Sequence, residues 1–167
     1  MGITYQQDEQ NFYLQSKNSS YVLTVLKTGH LGHLYWGTKI DSTRSLAHLI
    51  QPKKRALEPY LIPEENEEFT VDKEFSLDMI PQEYPAYGRT DYHYPAYQIK
   101  QETGSRITDL KYKSHIIKPG KEPLTGLPAT YVESESEAET LEITLEDDQI
   151  NLQVVLSYTV YEELDVV

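Results

Sequence analysis

Two histidines three residues apart, His30 and His33 in the run GHLGH, have a spacing that suggests a metal. On an extended strand, residues three apart point to opposite faces, so the two rings cannot share one ion without a bulge. No metal site is expected there. Asp91 and His93 stand two apart and would share a strand face, which suits a carboxylate that orients an imidazole. No serine or other nucleophile is set beside them, so an orienting pair is expected rather than a catalytic one. The acidic run at residues 133–139, ESESEAE, lacks the glycine and oxygen-ligand spacing of a calcium loop and reads as a solvated, partly extended face. Glycoside hydrolysis needs two carboxyl groups roughly 5–10 Å apart across a sugar pocket, and nothing in the spacing of the many acids selects such a pair. The chain has neither a phosphate-cradling glycine loop nor a G-x-S-x-G turn, and no cofactor is implied.

The densest aromatic chemistry lies in residues 82–97, QEYPAYGRTDYHYPAY, with five tyrosines and two Tyr-Pro pairs. A residue before proline is driven toward extended or polyproline backbone, and Gly88 offers a place to turn at positive φ. The segment is expected to be extended and sharply bent. Its rings either pack a core edge with their hydroxyls hydrogen-bonded or stack on the flat face of a sugar. Trp36 and Tyr87 are candidates for stacking.

The elements that must position these residues are strands. Residues 3–5 and 12–14 alternate in two short pieces around the polar turn QQDEQ. Residues 21–26, YVLTVL, suit a strand buried on both faces. Gly29 sits at the tight position of a hairpin leading into residues 31–36. Residues 41–50 could form a short helix capped by Asp41 or Ser42, with Leu46, Leu49 and Ile50 as its apolar side. Residues 52–80 read as a long irregular excursion. In residues 106–118, Thr108, Leu110, Tyr112, Ser114 and Ile116 share one face, and Asp109, Lys111, Lys113 and His115 the other. Leu141, Ile143 and Leu145 alternate with acids, Asp147 and Asp148 make a turn, and Ile150, Leu152, Val154, Leu156, Tyr158 and Val160 supply six inward positions. The expected fold is all-β, a single antiparallel β-sandwich domain over residues 1–167.

Composition narrows the partners. Fifteen basic and 27 acidic side chains give a net charge of −12, so nucleic acid and anionic membrane surfaces are not expected partners. The chain has no cysteine, which excludes disulfides and thiolate chemistry. The N-terminus is polar rather than a signal peptide, no apolar run approaches a membrane span, and a soluble cytoplasmic protein is expected.

The order of motifs adds a resemblance. The runs QEYPAYGRTDYHYPAYQI, GSRITDLKYKSHII, GLPATYVE, EAETLEITLED and LQVVLSYTVYE, with YVLTVLKTGHLGHLYWG before them, closely resemble the opening of family 36 α-galactosidases over residues 3–162. That resemblance implies longer proteins with an N-terminal β-supersandwich, a (β/α)₈ barrel and a small C-terminal β domain. It implies retaining chemistry by two barrel aspartates that have no matching positions here, so this chain alone should be inactive. The parent reaction would release terminal α-linked galactose from oligosaccharides such as melibiose or raffinose. The chain would then be the first half of the supersandwich, bracing the barrel and building an oligomer.

In such proteins a loop of this region reaches a neighbouring subunit's active site, and residues 52–59, PKKRALEP, match it. Relatives often place an acid and then arginine there. Here the pair is Lys54 and Arg55, so Arg55 matches and the acidic partner is missing. Relatives commonly have Asp-Phe-Arg where this chain has Asp91, Tyr92 and His93, and an imidazole is a weaker, pH-dependent substitute for a bidentate guanidinium. The implied galactoside contacts are thus Lys54, Arg55, Trp36, Tyr87, Asp91 and His93. A stand-alone carbohydrate-binding module is the alternative, with Trp36 and the tyrosines as platforms. If a sandwich is cut midway, open strand edges at residues 150–162 or 21–26 would pair with another copy of the chain.

Overall fold

The computed structural model describes residues 2–50, 77, 80–88 and 91–167. Among the described residues, seven strands form two antiparallel sheets. The first holds β1 (Gly2–Gln6), β2 (Asn11–Gln15), β3 (Ser19–Val25) and β4 (Leu31–Thr38), in that spatial order. The second holds β5 (Lys111–Pro119), β6 (Ala138–Asp147) and β7 (Leu152–Tyr161), also in chain order. Every link between paired strands is therefore a simple antiparallel connection, as period-two runs separated by short polar turns favour. The all-β antiparallel expectation holds.

The core lies between the sheets. Phe12, Leu14, Leu23, Val25 and Leu31 of the first sheet meet Leu141, Ile143, Leu145 and Val160 of the second. Leu152, Val154, Leu156 and Tyr158 pack against the same cluster, so five of the six expected inward positions lie on β7. Ile150 instead falls in the β6–β7 turn, where Asn151 takes φ 52°. Gly29 also adopts a left-handed φ, 87°, and its carbonyl accepts from the Tyr112 N–H at 2.8 Å. A Cβ there would approach the Lys111 side chain to 3.3 Å, so glycine lets the β3–β4 turn lie against β5.

Three sequence expectations fail for identifiable reasons. Strand β5 carries a bulge between Tyr112 and Ser114, which leaves Lys113 without a cross-strand partner. One extra residue reverses the alternation beyond it. Ile116 is therefore 57% exposed, whereas His115 and Ile117 turn inward. The helix expected at residues 41–50 is a single 3₁₀ turn, Ala47–Leu49. The Asp41 carboxylate accepts from the Thr43 N–H and Oγ1 at 2.9 and 2.7 Å, a local turn that competes with helix. Leu46 is buried against Tyr13 and Val22, but Leu49 is 43% exposed, so no apolar stripe forms. Finally, residues 21–26 are no edge, because β3 is paired on both sides. The outer strands are β1 and β4 in one sheet, β5 and β7 in the other.

Candidate functional site

The tyrosine segment crosses the end of β4 and is pinned there by backbone. The Glu83 N–H donates to the Leu31 carbonyl, and the His33 N–H to that of Pro81. Gly88, at φ 97°, makes the bend and pairs with Asp91 as an isolated bridge. The rings then divide. Tyr84 and Tyr97 stack at 4.9 Å, nearly parallel at 11°, and pack against the core. Tyr87, Tyr92 and Tyr94 are exposed. Burial and display thus coexist in one segment.

Glu83 forms a hub that its position in the sequence did not announce. Its carboxylate accepts from the Tyr21 hydroxyl at 2.6 Å and the Tyr158 hydroxyl at 2.9 Å, and His33 Nδ1 lies 2.9 Å away. Tyr21 stands on β3, His33 on β4 and Tyr158 on β7, so one carboxylate ties both sheets to the segment. Burial, reinforced by the neighbouring carboxylate, pushes both phenols far above their ordinary range, and they stay donors. The available signal was a lone acid beside a Tyr-Pro pair, with Tyr158 on the inward row of β7.

Asp91 and His93 form the orienting pair expected of them. Buried Asp91 accepts from the His93 N–H at 2.9 Å, has His93 Nδ1 at 2.8 Å, and accepts from Gln82 Nε2. Both Asp91 oxygens are engaged inside the fold. His30 and His33 go to different partners, Asp109 and Glu83, as opposite faces require.

Trp36 lies elsewhere. Its ring meets Tyr21 edge-on at 4.9 Å, is 59% exposed, and borders a cleft of about 580 Å³ with Tyr158, Lys118 and Glu142. Tyr87, Asp91 and His93 do not line that cleft. Lys54 and Arg55, with the whole loop at 52–59, lie outside the described residues. Among the four described candidates, Trp36 therefore stands apart from Tyr87, Asp91 and His93.

This pair of ordered sheets, bound by the tyrosine segment, matches a known domain. The profile of the Glycosyl hydrolase family 36 N-terminal domain covers residues 29–167. The chain belongs to that family. It is 46% identical over its full 167 residues to alpha-galactosidase AgaA of Geobacillus stearothermophilus, of which it spans 22%. The crystal structure of the GH36 alpha-galactosidase AgaB from the same organism superposes on 98% of this chain and 21% of its own, with a TM-score of 0.82 at 47% identity. The alpha-galactosidase of Lactobacillus brevis superposes at 0.83 with 28% identity, over 95% of this chain and 20% of that one. The chain thus spans about a fifth of the length of the relatives it matches, and it is an N-terminal domain of the family 36 type.

Proposed function

We propose that this chain serves as one non-catalytic β-sandwich domain of an α-galactosidase, a brace for a catalytic barrel that supplies the chemistry. The observation that carries this reading is how the carboxylates at the tyrosine segment are used. Glu83 and Asp91 spend their oxygens on Tyr21, Tyr158, Gln82 and His93, fixing the fold. A retaining glycosidase also needs a carboxylic acid held protonated by a raised pKa. Glu9, Asp41, Glu146 and Asp165 are instead held below the ordinary carboxylate range. Hydrogen bonds from Ser45 and the Leu46 N–H lower Glu9, and those from Thr43 lower Asp41. Lys113 and Gln153 lower Glu146, while Ser16 and Asn18 bring Asp165 to about 2.

An AgaA variant has been solved with raffinose and another with stachyose, and galactosides of that kind are the proposed substrates of the complete enzyme. The outer strand β7, on which Val155 is exposed, is the edge proposed to meet the barrel or a second copy. A cytoplasmic setting belongs to the same reading, in keeping with a sequence free of cysteine. Direct galactoside contact by Trp36, Tyr87, Asp91, His93, Lys54 or Arg55 is the narrower proposal. Trp36 has the strongest case, as an exposed ring on an open cleft.

The purified chain is expected to give no turnover of a chromogenic α-galactoside above buffer. Saturable turnover, abolished by a single carboxylate substitution, would overturn the non-catalytic assignment. Trp36 is the sole tryptophan, so its fluorescence during a galactose titration reads the narrower proposal separately. A saturable change supports stacking there, and a flat titration rejects it.

A further inference from the structure

The second sheet is one strand narrower than the first, three against four. Strand β7 lies over β3, where the Tyr158 and Tyr21 rings are 6.2 Å apart. Among the described residues, no strand occupies the next place outward, over β4. Trp36 stands there. It is the cross-strand partner of Tyr21 on the same face, and it is left 59% exposed. The cleft beside it takes Tyr158 from the inner face of β7 and Ser157 and Thr159 from the outer, so the edge of β7 runs along it.

That edge is unpaired. Strand β7 pairs with β6 from Leu152 to Tyr161 without a bulge. The Tyr161 N–H turns away from β6 to the Val166 carbonyl at 3.4 Å, whereas the Glu162 N–H returns to Glu137 at 2.9 Å. Backbone groups alternate along an antiparallel strand, so those of Gln153, Val155, Ser157 and Thr159 also turn away from β6. Among the described residues, none of these four has a backbone partner on that side. The other edges are guarded. A Glu139 oxygen takes the Ile3 N–H of β1. The tyrosine segment takes the Leu31 carbonyl and the His33 N–H of β4. Strand β5 has its bulge, Lys111, Lys113, Lys118 and Pro119. Charges, prolines and bulges are the usual devices against edge pairing, and β7, LQVVLSYTVY, has none of them.

We propose that β7 pairs with the same strand of a second copy, antiparallel about a twofold axis normal to the sheet. The two three-stranded sheets then join into one continuous sheet. A strand laid on this edge must carry apolar side chains toward Trp36 and small or polar ones on the outer face. Strand β7 itself has that pattern, with Val154, Leu156 and Tyr158 on the inner face and Gln153, Ser157 and Thr159 on the outer. A twofold normal to the sheet keeps inner faces inner, so each copy's apolar row extends over the Trp36 of the other. An uncharged strand brings no like charges into register. The net charge of −12 on each copy opposes the approach, which makes added salt favour the pair. The inference rests on the contact edge proposed above and commits it to a second copy rather than to a barrel.

Sedimentation of the chain over a range of concentrations, without sugar, is the test. A monomer–dimer equilibrium that tightens with salt is expected, with the Trp36 emission moving to the blue as the dimer forms. Ser157→Pro removes an N–H that β6 does not use and sets a ring against an incoming strand. It should leave the Tm nearly unchanged and weaken dimerisation at least about tenfold, since one hydrogen bond is lost from each copy. Val155→Lys, which brings like charges to the paired edge, should weaken it as well and serves if the proline perturbs the fold. Ile116→Lys, at the opposite edge of the same sheet, should leave the dimer intact. A chain that stays monomeric up to its solubility limit would assign the edge to a different polypeptide and overturn the proposal. So would a dimer left as tight by both β7 substitutions, or one lost in Ile116→Lys. The non-catalytic reading is tested separately, by turnover.

Discussion

At the scale of single residues, the fold depends on a few buried polar groups with several partners each. Glu83→Ala would leave the Tyr21 and Tyr158 hydroxyls and the His33 ring without their shared acceptor. The expected loss is about 3 kcal/mol in urea unfolding, the scale of breaking a buried charged network; a loss below about 0.5 kcal/mol, the size of a surface change, would refute the hub. His115 gives a pH signature. It packs against the stacked Tyr5 and Phe12 rings, 4.4 and 4.8 Å from their centres, and burial lowers its pKa from 6.5. The unfolded chain therefore takes up the proton first as pH falls. The His115 contribution is complete above about pH 6.5, declines as pH falls from there toward the folded value, and levels off below it. His115→Phe should flatten that part of a stability–pH profile, and an unchanged slope would contradict the assignment. Little of this was legible beforehand: Glu83 gains its role from Tyr21, His33 and Tyr158, which lie 50 or more positions away.

At the scale of elements, alternation identified the strands because one face of each is buried between the sheets. It could not locate the bulge at Lys113, since an inserted residue leaves both halves of β5 with valid period-two patterns. The two readings make opposite predictions. Ile116→Lys should change stability by no more than about 0.5 kcal/mol, whereas Ile117→Lys should cost about 3 kcal/mol. Thermal unfolding of the two variants decides it, and the reverse order would restore the unbulged register. The overestimated helix at residues 41–50 has a related cause. Leu46, Leu49 and Ile50 have helical spacing, but the Asp41 turn and the single anchor of Leu46 against Tyr13 and Val22 satisfy that segment without one. The open edge expected at residues 21–26 fails on topology alone, because β4 returns to cover β3.

At the scale of the molecule, the two sheets form a scaffold tied together through the Glu83 carboxylate, which joins Tyr21 and His33 of one sheet to Tyr158 of the other. Trp36 borders a cleft that Tyr87, Asp91 and His93 do not line. Motif order across the chain carried the family, whereas the grouping of site residues required the fold. The central claim is that this scaffold supports a barrel that performs the reaction. AgaA of Geobacillus stearothermophilus, 46% identical over the whole of this chain, allows a direct measurement: α-galactosidase activity and thermal inactivation of AgaA with its aligned segment deleted, or replaced by this chain. The account predicts that deletion destroys activity or heat resistance and that replacement restores both. A deletion variant as active and as stable as the intact enzyme would contradict it.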